Sequence, residues 1–364
     1  MKIAQIAPLA ESVPPKLYGG TERVVSYLTE ELVRLGHQVT LFASGDSQTA
    51  AELVSCSPRA LRLDPAAKDP LPRLLHMLEQ VRSAAARFDV LHFHVDHLHL
   101  PMFRGIAHKT VTTLHGRLDL PGIAGLYGAF ADMPLVSVSN SQRAPLQNAH
   151  WLGNVYHGLP PAPAGRDRQG ARDYAVFIGR VSPEKRLDRA IDIARTAGVP
   201  LRIAAKVDVA DVPYFRQIIQ PRLNDPGVQF IGEVSGRQKA DLLGNAAVLL
   251  FPIDWPEPFG LAMIEAMSYG TPVVAWHHGA VPEVVDDGET GFIVSSVEEA
   301  IQAVPRAAAL DRRRVEKRFA ERFTAERMAL DYVRLYQRLL ARHKARADDS
   351  FRSDEPCAQP RAVS

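Results

Sequence analysis

The sequence predicts an α/β protein made of two doubly wound units, each a parallel sheet covered by helices on both faces. Short apolar runs alternate with longer amphipathic segments along most of the chain, the pattern of strands joined by crossover helices. The alternation stops once, between positions 157 and 174, in a stretch rich in Pro, Gly and charge, and then restarts. The length of 364 residues fits two domains of ordinary size. A single large barrel would satisfy the length equally but gives no reason for the interruption.

Residues 2–8 read as a buried strand, followed by a loop containing Gly19 and Gly20. Thr21 is placed to cap a helix whose apolar stripe, Val24, Val25, Leu28, Leu32 and Leu35, ends at Gly36. A strand over 38–43 and a helix over 71–87 come next, then strands over 90–93, 110–114 and 135–138. After the interruption the elements are a strand over 174–178, a helix from Leu187, strands over 201–205 and 228–231, a helix over 237–245 and a strand over 247–251. A helix over 260–269, a strand over 272–275 and a turn–helix–strand ending at Val294 complete the series. The strands are mostly continuous apolar runs, as expected where both faces of a parallel sheet are covered. The expected divisions are a first domain over 1–160, a linker over 161–172, a second domain over 173–325, a terminal helix over 326–342 and a disordered tail over 343–364.

Composition narrows the function classes. Lys and Arg total 43 against 41 Asp and Glu, a formal charge of +2, so there is no global electrostatic case for binding nucleic acid. Two cysteines, Cys56 and Cys357, exclude a disulfide scaffold and point to a reducing, cytoplasmic setting. The N-terminus lacks the apolar core of a signal peptide, and the longest apolar run, over 246–253, is far short of the roughly 20 residues of a membrane span. Charge is uneven, however: residues 312–346 carry twelve Lys and Arg against four Asp and Glu. A solvated helix face is favoured there over peripheral contact with a membrane surface or an anionic acceptor.

The sharpest motif is Glu257-Pro-Phe-Gly-Leu-Ala-Met-Ile-Glu265, two carboxylates eight positions apart. The first falls in a loop after a strand and the second in a helix opening near Gly260. Amides of Phe259, Gly260 and Leu261 at that helix start can bind a diphosphate. Glu257 would then lie beside the group attached to the phosphate, and Glu265 could accept hydrogen bonds from a ribose diol. A capped helix with an incidental glutamate explains the motif equally when it stands alone. Arg180 and Lys185, just after the strand that opens the second unit, could balance the charge of a departing diphosphate without a metal. Gly19-Gly20 can take positive φ and bring backbone amides close to a ligand. His115 falls at the carboxyl end of a strand, where ligands bind in such sheets.

Five stretches in order resemble the family 4 retaining glycosyltransferases, over roughly residues 1–340. They are Gly19-Gly20-Thr21-Glu22, Thr112-Thr113-Leu114-His115-Gly116, Gly179-Arg180…Lys185, Glu257-Pro-Phe-Gly…Glu265-Ala-Met, and Gly279…Val281-Pro282-Glu283…Gly288…Gly291-Phe292. The resemblance implies the GT-B fold, two Rossmann-like domains facing across a cleft, with C-terminal helices crossing back. It implies transfer of a sugar from a nucleotide-diphosphate donor to an acceptor hydroxyl with retention of configuration, without cofactor or metal. A UDP-sugar is the first-choice donor, with GDP-mannose the other. Within it, His115, Arg180, Lys185 and Glu257 would be catalytic, with His115 placing the sugar. Gly19, Gly20, Phe259, Gly260, Leu261 and Glu265 would bind the donor, and Glu22, His94 and His97 would line the acceptor side. One departure stands out: Arg186 occupies a place where the family usually has glycine.

Two other readings remain open at this stage. A nucleotide-sugar 2-epimerase would use the same fold without an acceptor. His92-Phe-His94-Val-Asp96-His97 is also similar to the HxHxDH site of dinuclear metallohydrolases. That stretch sits in a parallel strand–helix series rather than an antiparallel sandwich, no later ligands follow in order, and the resembled family often carries histidines at this point. Donor, acceptor and oligomeric state are not fixed by the sequence.

Overall fold

The computed structural model describes residues 1–16, 18–162, 172–234 and 236–353. Positions 163–171 of the expected linker and 354–364 of the expected tail lie outside these, as does Leu17. The first sheet comprises β1 (Lys2–Ile6), β2 (Gln38–Ser44), β3 (Glu52–Ser57), β4 (Val90–Phe93), β5 (Thr110–Thr113), β6 (Leu135–Ser137) and β7 (Trp151–Asn154). They lie in the order β3-β2-β1-β4-β5-β6-β7, with every pair parallel. The second sheet comprises β8 (Ala175–Arg180), β9 (Leu201–Lys206), β10 (Val228–Phe230), β11 (Val248–Phe251), β12 (Val273–Trp276) and β13 (Gly291–Val294). Its order is β10-β9-β8-β11-β12-β13, again all parallel. These are the two Rossmann-like, doubly wound units that the alternation predicts.

β3 and β7 have no counterpart in the sequence reading. Both are edge strands, one with four partly or fully exposed residues and the other containing Gly153 and Asn154, so neither shows a continuous apolar run. Thr21 does not cap the first helix. That helix is Gly20–Arg34 with Gly19 at its N-cap, two residues earlier than the capping chemistry of Thr implied.

The last helix spans Ala325–Ser353, longer than its expected end near 342, and crosses back to the first domain. Met328, Tyr332, Leu335, Tyr336 and Leu339 are buried against Ile3, Val90, Val111 and Val136 of the first sheet and Val24, Leu28 and Leu32 of its opening helix. Positions two apart on a strand share a face, so the face carrying Ile3, Val90 and Val111 also carries Gln5, His92 and Thr113. The opposite face, with Ala4, Ile6, Leu91 and Phe93, packs on Met77, Leu78 and Val81 of the helix Leu71–Ala84. Among the described residues no helix is long and apolar enough to cross a membrane.

The basic stretch is only partly a solvated face. Arg312 donates to the carbonyl of Ala246 at 2.7 Å, closing the C-terminal side of a helix–strand turn. Arg318 and Arg322 both reach the Asp286 carboxylate, at 2.9 and 2.8 Å, and Arg314 reaches Glu289 at 2.7 Å. Much of the local excess of positive charge is therefore answered by carboxylates distant in sequence.

Two seams join the domains. Leu159 N donates to Phe323 O at 2.9 Å and Ala325 N to Leu159 O at 2.8 Å where the chain crosses out and back. Glu283, in the short helix Val281–Val284, accepts from the backbone amides of Asn140 (2.8 Å) and Ser141 (2.7 Å) and from the Tyr156 hydroxyl (2.9 Å). Gly158 sits at the first seam, where a Cβ would stand 2.2 Å from the Thr324 carbonyl oxygen. That atom is backbone and has little freedom to move. Gly158→Ala is expected to lower unfolding free energy by about 1–3 kcal/mol, the usual cost of overpacking, measurable as a reduced urea midpoint.

Candidate active site

In each sheet the strand order reverses beside the first strand, between β1 and β4 and between β8 and β11. Loops leaving the carboxyl ends of those strands run apart, and the crevice they leave is where a doubly wound sheet binds its ligand. The sequence puts its motifs there. Gly19 and Gly20 end the loop after β1, His94 directly follows β4, and His115 follows β5. Arg180 is the last residue of β8, and Glu257 to Gly260 lie in the loop after β11. These loops enclose one cleft of about 570 Å³, lined from the first domain by Tyr18, Gly19, Gly20, Thr21, His115 and His157. The second domain contributes Arg180, Lys185, Lys206, Lys239, Trp255, Glu257, Phe259, Gly260, Leu261 and Glu265.

The second-domain wall has the expected helix start. Leu261–Ser268 is helical with Gly260 as its N-cap at φ +87°, a left-handed conformation that a side chain would strain. A Cβ on Gly260 would also stand 2.5 Å from Met263 Cε. The Glu257 backbone rests directly on Gly279, which has φ +56° and where a Cβ would lie 2.3 Å from Glu257 N and O. Ala280 N donates to Glu257 O at 2.9 Å. The Gly279 signature therefore braces the loop that carries Glu257.

The glycine pair acts differently from its expected use of positive φ. Gly19 has φ 165°, extended backbone open to any residue, and Gly20 is the first residue of a helix. The constraint at Gly19 is close approach, since a Cβ there would meet Pro15 Cβ at 2.7 Å. The space is spent on bringing the loop against the cleft.

Every cation that the sequence assigned to the diphosphate is held by a carboxylate of the same site. Lys185 Nζ pairs with Glu257 and lies 4.6 Å from the centre of the Trp255 ring. Arg180 donates to Glu184 at 2.5 Å and lies 3.2 Å from Asp211. Lys239 pairs with Glu265 and Lys206 with Asp208. Lys239, Lys206 and Asp211 were not found from sequence, because no spacing relates Lys239 to a carboxylate 26 positions away. Arg186 adopts φ 53°, ψ 49°, the left-handed conformation that explains why glycine suits this place. Its guanidinium is instead tied to Asp188 (2.9 Å) and Asp254 (3.0 Å), which hold the turn in that conformation.

On the opposite wall, His115 is joined to His94 by a 2.9 Å hydrogen bond between Nε2 and Nδ1. The His157 ring stacks on His115 with centroids 5.3 Å apart and meets Phe259 edge-on at 4.9 Å. His157 falls at the edge of the interrupted stretch, which hid it from sequence analysis. None of the three acceptor-side residues lines the cleft: His94 is buried behind His115, to which it is bonded. His97 is exposed in the loop after β4, whereas Glu22 is buried, its carboxyl raised by loss of hydration and by neighbouring Glu11.

The HxHxDH stretch is dispersed by the fold. His92 uses both ring nitrogens on Tyr336 (2.8 Å) and Thr113 (2.7 Å), and His94 uses both of its own on Gln5 and His115. Asp96 and His97 are exposed, and His99 lies on the other face, bonded to Thr112 at 2.8 Å and stacked on Phe93. Among the described residues no group of three or more His, Cys, Asp or Glu side chains is arranged to hold a metal ion.

Burial holds this histidine set neutral. Loss of hydration pushes His99 and His115 down to about 3, and His92, His94 and His157 well below the usual imidazole range. The unfolded chain takes up protons near pH 6.5 that the folded chain refuses, so stability is full above that pH and falls as pH drops toward 3. Each such histidine costs up to about 1.4 kcal/mol per pH unit in that window. Urea unfolding between pH 7.5 and 5 is expected to show a steep loss of stability below pH 6.5, and a flat profile would contradict neutral burial.

The chain matches the family described as Glycosyltransferase Family 4 over residues 18–150 and that described as Glycosyl transferases group 1 over residues 164–322. It is 35% identical over 155 residues to a D-inositol 3-phosphate glycosyltransferase of Streptomyces scabiei, a stretch covering 38% of this chain and 34% of that protein. The chain thus spans about a third of the length of the first such curated relatives. A longer likeness, 26% identity over 339 residues, links it to a phosphatidyl-myo-inositol mannosyltransferase of Mycobacterium leprae, covering 83% and 86% of the two chains. Among solved structures it is similar to AviGT4, a glycosyltransferase involved in avilamycin A biosynthesis, with TM-score 0.71, 26% identity and coverage of 93% and 98%. A sucrose-phosphate synthase from Thermosynechococcus elongatus shares the fold with TM-score 0.74 at 19% identity, with coverage of 93% and 99%.

Proposed function

The chain belongs to the family 4 glycosyltransferases of GT-B fold, and from that premise we propose that it transfers a hexosyl group from a nucleotide-diphosphate sugar to an acceptor hydroxyl, with retention. The observation that carries this reading is the composition of the cleft between the domains. One wall offers a helix start at Gly260, the cations Arg180 and Lys185, and the carboxylates Glu257 and Glu265. The other offers the Gly19-Gly20 loop and a neutral His115.

Each group has a part that its chemistry can perform. Glu265 accepts from the ribose diol. The amides of Phe259, Gly260 and Leu261 and the side chains of Arg180 and Lys185 take the diphosphate, whose charge grows as the glycosidic bond breaks. Stabilisation that increases along the reaction raises turnover rather than affinity, which assigns the cations to catalysis. Glu257 lies beside the sugar and holds Lys185 until the donor arrives. His115 places the sugar from the opposite domain, and closure of the domains limits donor hydrolysis.

Uridine diphosphate sugars are the first donors to test. GDP-mannose is the second, because a Mycobacterium tuberculosis relative 33% identical over 159 residues carries that donor in its name. A nucleotide screen for thermal stabilisation identifies the base, since a ligand bound to the folded state raises the melting temperature. Acceptor groups enter from the first-domain loops around Tyr18 and Arg117.

Lys185→Ala is expected to lower kcat by about 10²–10³ while nucleotide affinity changes little, as for removal of one group that acts on developing charge. Near-normal turnover in that variant would remove Lys185 from the leaving-group role. Incubation with donor alone is expected to release free nucleotide slowly; an isomerised nucleotide sugar would instead establish the 2-epimerase reaction. Product anomers assigned by NMR test retention, which inverted product would exclude.

A further inference from the structure

The wall that carries His115 is backed by polar side chains that the transfer reaction leaves unexplained. Gln5 lies in β1, where it is fully buried and in register with His92 of β4. Its carboxamide oxygen is 2.8 Å from His94 Nε2 and its carboxamide nitrogen 3.3 Å from the Tyr336 hydroxyl. Tyr336 comes from the terminal helix, 331 positions away, and is fully buried. His94 Nδ1 then meets His115 Nε2 at 2.9 Å. The path from terminal helix to cleft is therefore continuous: Tyr336, Gln5, His94, His115.

Hydrogen-bond inventory gives that path a direction. A carboxamide oxygen can only accept, so His94 must carry its proton on Nε2. Neutral His94 then has a bare Nδ1, which accepts from His115 Nε2–H. His115 is left with an unprotonated Nδ1. The remaining bonds agree, since the Gln5 amide donates to Tyr336, Tyr336 donates to His92 Nδ1, and His92 Nε2–H donates to Thr113 at 2.7 Å. Thr113 in turn donates to Tyr332 at 2.9 Å. The series of donors ends on the Tyr332 hydroxyl, which accepts from Thr113.

Reversing the Gln5 carboxamide would run every proton the other way and leave His115 with Nδ1–H. His115 Nδ1 is buried and has no hydrogen-bond partner in the protein. A buried N–H without an acceptor is rarer and more costly than an unused lone pair. In the structure the Gln5 oxygen faces His94 and its nitrogen faces Tyr336, which leaves His115 Nδ1 a bare lone pair.

We propose that Gln5 and His94, held by Tyr336 of the terminal helix, are positioning residues that fix His115 in its Nε2–H tautomer, so that Nδ1 presents a lone pair to a hydroxyl of the donor sugar. The consequence for the substrate rests on the transferase reading; the tautomer itself does not. With the lone pair set in advance, His115 accepts from a hydroxyl and offers nothing to a group that can only accept.

Long-range ¹H–¹⁵N spectra of the full chain with labelled histidine read the tautomer directly, without donor, acceptor or turnover. His115 is expected to show a proton on Nε2 and a bare Nδ1 at neutral pH. Gln5→Met, which keeps length and removes the acceptor, is expected to give a mixture of both tautomers, and Tyr336→Phe a partial one. In Gln5→Met, kcat is expected to fall about tenfold, with nucleotide Kd within twofold of wild type, because the lost bond is to the sugar and not to the base or diphosphate. A proton on His115 Nδ1 in the wild type would overturn the proposal, and that measurement needs no variant to fold. An unchanged tautomer in Gln5→Met would remove Gln5 from the role, and one in Tyr336→Phe would remove the terminal helix. Loss of donor turnover under any condition leaves the spectra readable, so failure of the transferase reading and failure of the relay are separate results.

Discussion

Burying a sheet face that carries Gln5, His92 and Thr113 among valines and isoleucines is the constraint on which this molecule turns. Buried polar groups without partners would each cost about 1–3 kcal/mol. The terminal helix answers them with the hydroxyls of Tyr332 and Tyr336, inserted between Leu335, Leu339 and Met328. The last segment of the chain therefore completes the core of the first domain, and the seam at Leu159 and Ala325 fixes where the chain passes between domains. The same polar patch continues through His94 to the cleft wall. Packing of the terminal helix and the setting of His115 share one set of side-chain hydrogen bonds.

The opposite wall follows a different logic. Its cations and carboxylates are paired with each other: Lys185 with Glu257, Lys239 with Glu265, Arg180 with Glu184 and Asp211. The half-buried cleft does not accumulate uncompensated charge, which desolvation would penalise. Under the proposed transfer reaction, binding would exchange Glu257 for the diphosphate on Lys185. Trp255 lies under Lys185 and within cation–π distance of Arg117 from the other domain, so the paired wall meets the first domain there.

Glu283 shows how a motif can be visible while its use is not. The sequence places it in the signature after Gly279. The structure makes it the carboxylate that gathers two backbone amides and a tyrosine hydroxyl across the domain seam. Gly279 itself serves by having no side chain, letting the Glu257 loop sit on it. Sequence motifs in this fold mix groups that meet substrate with groups that hold those groups still, and residue type alone does not separate them.

Strand–helix alternation, the interruption near position 160 and the apolar strand runs determined the fold class, because both faces of a parallel sheet are covered and the pattern is local. Spacing likewise determined the Glu257–Glu265 pair and the positions of Arg180, Lys185 and His115 at strand ends. The edge strands β3 and β7 escaped because solvent on one side removes the apolar run. Lys239, Asp211 and His157 escaped because their partners are remote in sequence. His94, His97 and Glu22 do not line the cleft, because His94 and Glu22 are buried and His97 sits exposed in its loop. Proximity across the cleft, the cap at Gly19 in place of Thr21, the pairing of Arg318 and Arg322 with Asp286, and the link from Tyr336 to His115 were decided only by tertiary structure. Each depends on groups that folding brings together, and a hydrogen bond has a direction only when both of its ends are in place.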